Sequence, residues 1–219
     1  MNIKACIFDL DGVIVDTAKY HYLAWKALAD KLGFEFTPAH NERLKGVSRM
    51  DSLEILLQVG EVTGLTEAEK QAYAAEKNEL YVSYIEGMSA DEILPNVREF
   101  LMDLRANGIK ISLGSASKNA EMILKKLQLM PLFDAIVDGR HISKAKPDPE
   151  VFLRGAQALD ERPENCVVFE DAQAGVQAAK NAAMACVGIG DESTLRQADF
   201  VIPGFENFTY ALLNQHLKA

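Results

Sequence analysis

The sequence predicts an α/β fold: a doubly wound, Rossmann-like parallel sheet with a helical cap inserted after the first strand. Three observations carry this expectation. Short apolar runs alternate with amphipathic helical patterns along most of the chain. The runs are continuously apolar and several stop at acids, as in parallel strands covered on both faces. One long stretch near the N-terminus breaks the alternation and reads as helix only.

The strands read off in order as Ala5–Phe8, Ile109–Leu113, Ala135–Val137, Cys166–Phe169, Ala185–Ile189 and Phe200–Ile202. The second follows the turn signal Asn107-Gly108, and the others end at Asp-, Glu-, Gly- or Pro-containing breaks. Between them, Val97–Ala106 and Glu121–Leu129 are amphipathic, and Ala172–Met184 is alanine-rich. Asp148 and Pro149 supply a cap and a first-turn proline for a helix over Glu150–Leu159. This βαβα order fits a parallel sheet with crossover helices. Within the helical stretch, Thr17–Leu32 stops at Gly33 and Arg49–Val59 at Gly60, and Thr66 with Glu69 forms a capping box for a helix reaching about Ile85. The expected division is a core of residues 1–16 and 93–219 and a cap of residues 17–92, with re-entry marked by Pro95.

With 219 residues, 48% of them hydrophobic, the chain can bury a large core. The formal net charge of -9 argues against nucleic acid or an anionic membrane as partner. No apolar stretch is long enough to span a bilayer, and Met1 to Lys4 lead straight into a strand pattern rather than a signal peptide. The three cysteines, Cys6, Cys166 and Cys186, sit apart in apolar runs, which fits reduced thiols in the cytoplasm. A small-molecule ligand and a monomeric state are expected.

In an open parallel sheet, ligands bind beyond the carboxyl ends of the strands. Those ends deliver Asp9 and Asp11, then Ser115, then Glu170 and Asp171, with Lys146 on a loop just before a helix. Crowded carboxylates repel, and a hard divalent cation with oxygen ligands relieves this. Asp9 could attack phosphorus to form an acyl-phosphate, and Asp11 could shuttle the proton of the leaving or attacking oxygen. Lys146 and Ser115 would hold the oxygens on which charge develops. Taken singly, each feature is commonly a turn, a cap or a surface charge; their order on successive strand ends is what gives them weight.

These residues resemble the haloacid dehalogenase (HAD) superfamily. Asp9-Leu10-Asp11-Gly12-Val13 is similar to its first motif, Ser115 to the second, Lys146 to the third and Glu170-Asp171 to the fourth. The resemblance implies Asp9 as nucleophile, Asp11 as acid/base, and Asp9, Asp11 (through its carbonyl), Asp171 and Glu170 at or near Mg2+. Longer strings resemble the β-phosphoglucomutase family within it: Asp16 to His21, Trp25 to Leu28, Leu44 to Arg49 with Asp51-Ser52-Leu53, and Ser115 to Asn119. That implies exchange between β-glucose 1-phosphate and glucose 6-phosphate, primed by glucose 1,6-bisphosphate. It also implies roles for Thr17 and His21 in catalysis, and for Trp25, Lys45, Gly46, Val47, Ser48, Arg49, Ser52 and Lys77 on the cap in sugar-phosphate binding. Ala116, Ser117, Lys118 and Asn119 would serve the distal phosphate from the core side. Ala172 stands where the pattern often has serine, and Gly114 where alanine is common. The rival functions are a sugar-phosphate phosphatase on the same scaffold and a non-catalytic sugar-phosphate sensor.

Overall fold

The computed structural model describes residues 2–44 and 47–217. A single six-stranded sheet runs in the order β3-β2-β1-β4-β5-β6, every neighbouring pair parallel. Its strands are β1 (Ala5–Phe8), β2 (Lys110–Gly114), β3 (Ala135–Val137), β4 (Cys166–Glu170), β5 (Ala185–Ile189) and β6 (Phe200–Ile202). The strand order reverses at β1, between β2 and β4, and that is where a doubly wound sheet opens a crevice. The strands are buried on both faces, as their unbroken apolar composition requires. Period-two alternation sends Cys6 and Phe8 into one core and Ala5 and Ile7 into the other.

The first core holds a stack of rings. Phe8 and Phe169, opposite each other in register, lie 4.6 Å apart with an interplanar angle of 4°. Phe100 closes on Phe169 edge-on at 5.4 Å, and Phe205 sits 5.1 Å from Phe100. Such ring pairs contribute roughly 0.5–1.5 kcal/mol beyond their burial. They form a stiff floor under the strand ends that carry Asp9 and Glu170.

Among the described residues, the insertion holds four α-helices: α1 (Ala18–Leu32), α2 (Pro38–Asn41), α3 (Arg49–Val59) and α4 (Glu67–Ile85). The chain leaves α1 through Gly33 at φ 88°, a left-handed stop that favours glycine. Thr66 and Glu69 cap α4 reciprocally, as the sequence predicts. Trp25, Leu28, Leu53, Leu56 and Ala74 pack into a cluster separate from the two sheet cores. Further along α4, Tyr81 and Ile85 pack instead into the first sheet core. Return to the sheet comes through Ile93, which bridges Val15, and Leu94, whose N–H donates to the Ile14 carbonyl at 3.0 Å.

The remaining helices are α5 (Val97–Ala106), α6 (Ala120–Lys126), α7 (Glu150–Ala158), α8 (Gln173–Asn181) and α9 (Tyr210–His216). In α5, Val97, Phe100, Leu101 and Leu104 make the buried stripe expected of a helix covering a sheet. Several boundaries differ from the sequence reading. β2 is shifted one residue onward, because Gly114 still pairs with Val137 while the Ile109 N–H closes onto Leu104 of the preceding helix. α6 and α8 end early, where Gln128 and Ala183 turn to φ 55° and 56°. Pro149 itself takes the cap position of α7, and the Asp148 carboxylate caps from outside, accepting from the Glu150 N–H at 3.0 Å. The short α2 and the C-terminal α9 have no counterpart in the sequence reading.

Candidate active site

At the reversal of strand order, Asp9 follows β1, Glu170 is the last residue of β4 and Asp171 follows it. Lys146, on the loop before α7, reaches between them. Its Nζ donates to Asp9 Oδ1 at 2.6 Å and to Glu170 Oε2 at 2.8 Å, with the lysine side chain fully buried. Burial alone would lower the lysine pKa, but the Asp9 and Glu170 carboxylates outweigh it and hold the ammonium charged. Burial pushes the Glu170 carboxyl well up, against the pull of Lys146. Sequence reasoning placed Glu170 mainly at a metal; the geometry makes it the buried partner of Lys146 as well.

Carboxylate oxygens of Asp9, Glu170 and Asp171 lie within 4.8 Å of one another. All-oxygen, anionic donors so placed fit a hard divalent cation. Two glycines permit the crowding. A Cβ on Gly12, whose φ is 77°, would fall 2.1 Å from Asp171 Oδ2, and one on Gly175 would fall 2.0 Å from the Glu170 carboxyl carbon.

Asp11 faces the same crevice, and the Thr17 hydroxyl donates to its Oδ1. Burial, and then the charge of Asp9, raise the Asp11 carboxyl to about 7, a value suited to proton exchange near neutral pH. Thr17 is fully buried behind Asp11 rather than exposed to the cavity. On the Ser115 side, the Oγ accepts from the Ser117 N–H at 3.1 Å and the Ser117 Oγ accepts from the Asn119 N–H at 3.2 Å, so the loop is braced from within.

A cavity of about 540 Å³ separates these core residues from the inserted helices. Asp9, Asp11 and Asp171 stand at one part of its wall, with Ser115, Ala116, Ser117, Lys118 and Asn119 beside them. From the insertion come His21 and Trp25 of α1, Val47, Ser48, Arg49 and Ser52 at and around the start of α3, and Lys77 of α4. Ser48 caps α3, its Oγ accepting from the Asp51 N–H at 3.2 Å, which leaves Arg49 in the first turn at the cavity wall. Lys45 and Gly46 lie outside the described residues. Lys146 and Glu170 sit beneath the wall and act on it through Asp9.

His21 borders the cavity, and its Nδ1 pairs with Lys77 Nζ, 2.9 Å away. Burial, then Lys77 and Arg49, hold the imidazole well below its usual range, so it is neutral. Lys77 also lies 4.3 Å from the Trp25 ring centroid and 4.9 Å from that of Tyr81. Trp25, implied by the resemblance to bind sugar phosphate, is buried in the insertion's cluster and also borders the cavity. Sequence reading missed Asn78 and the stretch Ile142, Ser143 and Lys144, all on the cavity wall. Helical adjacency to Lys77 was the available signal for Asn78; nothing comparable marked the loop.

Lys77 is held at about 7, by burial first and then by Arg49, with Asp11 opposing. Below that value the ammonium is charged in both folded and unfolded chains, and the full cost of burying it weighs on the fold. As pH rises from 7 towards the ordinary lysine range the native state sheds the proton first, and the cost fades. Lys77→Met is therefore expected to raise stability by about 1 kcal/mol or more near pH 6, roughly 2–4 °C in Tm, with the gain shrinking towards pH 10. Thermal melts across pH check this; a lower Tm for the variant at pH 6 would refute it.

A haloacid dehalogenase-like hydrolase family model matches residues 3–183. The chain belongs to the haloacid dehalogenase-like hydrolase family. Among curated members it is 44% identical to the β-phosphoglucomutase of Bacillus subtilis, across 97% of this chain and 95% of that protein. It is 33% identical to a phosphorylated-carbohydrate phosphatase of Thermotoga maritima, over 82% of each chain. The crystal structure of a Clostridium difficile β-phosphoglucomutase superposes with a TM-score of 0.95 at 42% identity, covering 99% of this chain and 97% of that one. The parallel sheet and the catalytic-type acids at its strand reversal are thus those of a HAD-like enzyme. Among the described residues no helix is long and apolar enough to cross a membrane.

Proposed function

We propose that the chain interconverts β-D-glucose 1-phosphate and glucose 6-phosphate, the β-phosphoglucomutase reaction, through a phosphorylated Asp9 and a glucose 1,6-bisphosphate intermediate. The observation that carries this reading is a cavity lined both by the Asp9, Asp11 and Asp171 acids, where a divalent cation would receive a phosphoryl group, and by Arg49 at the start of α3 and the Ser117–Asn119 loop, whose donors suit a second phosphate. A hydrolase of monophosphates needs only the first set. The likeness to two β-phosphoglucomutases across nearly the whole chain supports it.

In this scheme an Asp9 oxygen attacks a phosphorus of the bisphosphate and forms the P–O bond as the sugar P–O bond breaks. Asp11 gives its proton to the departing sugar oxygen. Glucose 6-phosphate departs, and an incoming β-glucose 1-phosphate presents its 6-hydroxyl. Asp11 takes that proton as the oxygen attacks the phosphoryl group on Asp9, which restores the free carboxylate. Lys146 orients Asp9, and Ser115 offers a hydroxyl to the transferring oxygens. Asp9, Asp171 and the Asp11 carbonyl, with Glu170 nearby, would hold Mg2+, which supplies charge neutralisation for the phosphoryl oxygens. Arg49 grips the distal phosphate as a two-pronged donor. His21 and Lys77 form a hydrogen-bonded pair that faces the sugar hydroxyls, beside the ring of Trp25. Residues 17–92 act as a cap that sets specificity and excludes water. We extend the reading to a cytoplasmic monomer acting on small phosphosugars, consistent with its buried free cysteines.

The test is turnover of β-glucose 1-phosphate, alone and primed with glucose 1,6-bisphosphate, followed by NMR. Glucose 6-phosphate is expected as the main product, with priming required. Adding chelator should stop turnover while circular dichroism stays native. Inorganic phosphate released as fast as glucose 6-phosphate forms would favour a phosphatase like the Thermotoga relative. Activity retained in chelator would refute the metal assignment.

A further inference from the structure

We infer that Asn78 is a positioning residue, which orients the Asn119 carboxamide towards the distal phosphate and ties the cap to the phosphate loop. The inference rests on the mutase reading above. Asn119 Nδ2 donates to Asn78 Oδ1 at 2.9 Å. Asn78 belongs to α4 in the insertion, whereas Asn119 stands at the start of α6 on the core, and both side chains are at the cavity wall.

The loop from Ser115 to Asn119 fixes its own backbone but not the Asn119 amide. Serine hydroxyls hold the Ser117 and Asn119 N–H groups. The Asn119 side chain still has a donor end and an acceptor end, and which one meets a phosphate decides between attraction and repulsion. Asn78 Oδ1 engages one N–H of the amide nitrogen. The second N–H of that nitrogen remains on the donor end for the anion. The bond also spans the cavity between cap and core. Another polar link of this kind, Lys126 Nζ to the Glu86 carbonyl, involves residues away from the cavity wall. Without the amide bridge, the distal phosphate meets a freely rotating carboxamide, and the cap is less firmly held against the loop that binds that phosphate. Water then competes with the sugar hydroxyl for the phosphoryl group on Asp9.

The experiment compares Asn78→Ala, Asn119→Ala and the double variant, measuring KM for β-glucose 1-phosphate and the phosphate released per glucose 6-phosphate formed. Each single change is expected to raise both quantities about tenfold, and the double variant should be no worse than the more severe single. Asn78→Asp keeps an acceptor oxygen and should return the release ratio to within about threefold of wild type. Single effects that multiply in the double variant, or an Asn78→Ala release ratio equal to wild type, would overturn the inference. So would failure of Asn78→Asp to restore that ratio. A wild type that forms no glucose 6-phosphate refutes the mutase reading alone; coupling of the two asparagines in KM for the phosphate ester still decides the bridge.

Discussion

Asp9→Asn is expected to abolish turnover, by roughly 10⁴-fold or more, while leaving a folded protein that still binds phosphosugar. The exchange is nearly isosteric. The residue-9 N–H continues to donate to the Phe169 carbonyl, and the ring floor below is untouched. What disappears is the anionic oxygen that attacks phosphorus, since an amide oxygen is a feeble nucleophile and its adduct is unstable. Lys146 keeps Glu170 as its second carboxylate, so the buried ammonium is not left alone. The fold should therefore tolerate the change, and loss of one negative charge beside Asp11 and Asp171 eases their repulsion. Mass spectrometry after brief exposure to glucose 1,6-bisphosphate should show a phosphoryl adduct on the wild type and none on the variant. Ligand binding by titration calorimetry should survive in part. Turnover within about tenfold of wild type would remove covalent catalysis at this position, because acid/base and charge effects alone supply only about two to four orders of magnitude apiece.

The core of this site was legible because parallel strands advertise their ends. Ala5–Phe8 and Cys166–Phe169 are apolar to the last residue and then break into acids, so Asp9, Glu170 and Asp171 could be placed at the carboxyl ends of the sheet from the sequence alone. Lys146 was legible by its position before a helix, but its grip on both Asp9 and Glu170 was not. That contact joins residues 137 and 24 positions apart, and no periodicity encodes it. The cap behaved differently. Thr17 and His21 were legible from their motif, but their partners, Asp11 for Thr17 and Lys77 for His21, were not, because a helix face does not reveal which neighbour will cover it. Asn78 escaped notice for the same reason. The helix α9 escaped because its single fully buried residue, Leu213, gives too short an amphipathic pattern to register.

Lys146→Met should produce the largest combined loss of activity and stability. In the wild type one ammonium, with no solvent exposure, neutralises two carboxylates that are themselves buried. Methionine fills a similar volume and keeps the contact with Phe152, whose ring centroid lies 4.9 Å from the lysine nitrogen. It leaves the Asp9 and Glu170 carboxylates facing each other without the ammonium between them. Removing one partner of a buried ion pair typically costs about 3–5 kcal/mol, because the survivor stays desolvated. For a chain of this length that corresponds to a fall in Tm of the order of 10 °C. A divalent cation at the acidic cluster would compensate part of that charge, so the fall should be smaller with millimolar Mg2+ than in chelator. Catalysis should drop by ~10³-fold or more even with the cation present, since the lost donor also orients the attacking oxygen. Thermal melts with and without Mg2+, beside single-turnover kinetics, separate the two losses. Equal destabilisation in cation and chelator would show that Asp9, Glu170 and Asp171 do not share a metal. An unchanged Tm in both would show that the buried ammonium is not what holds these carboxylates in place.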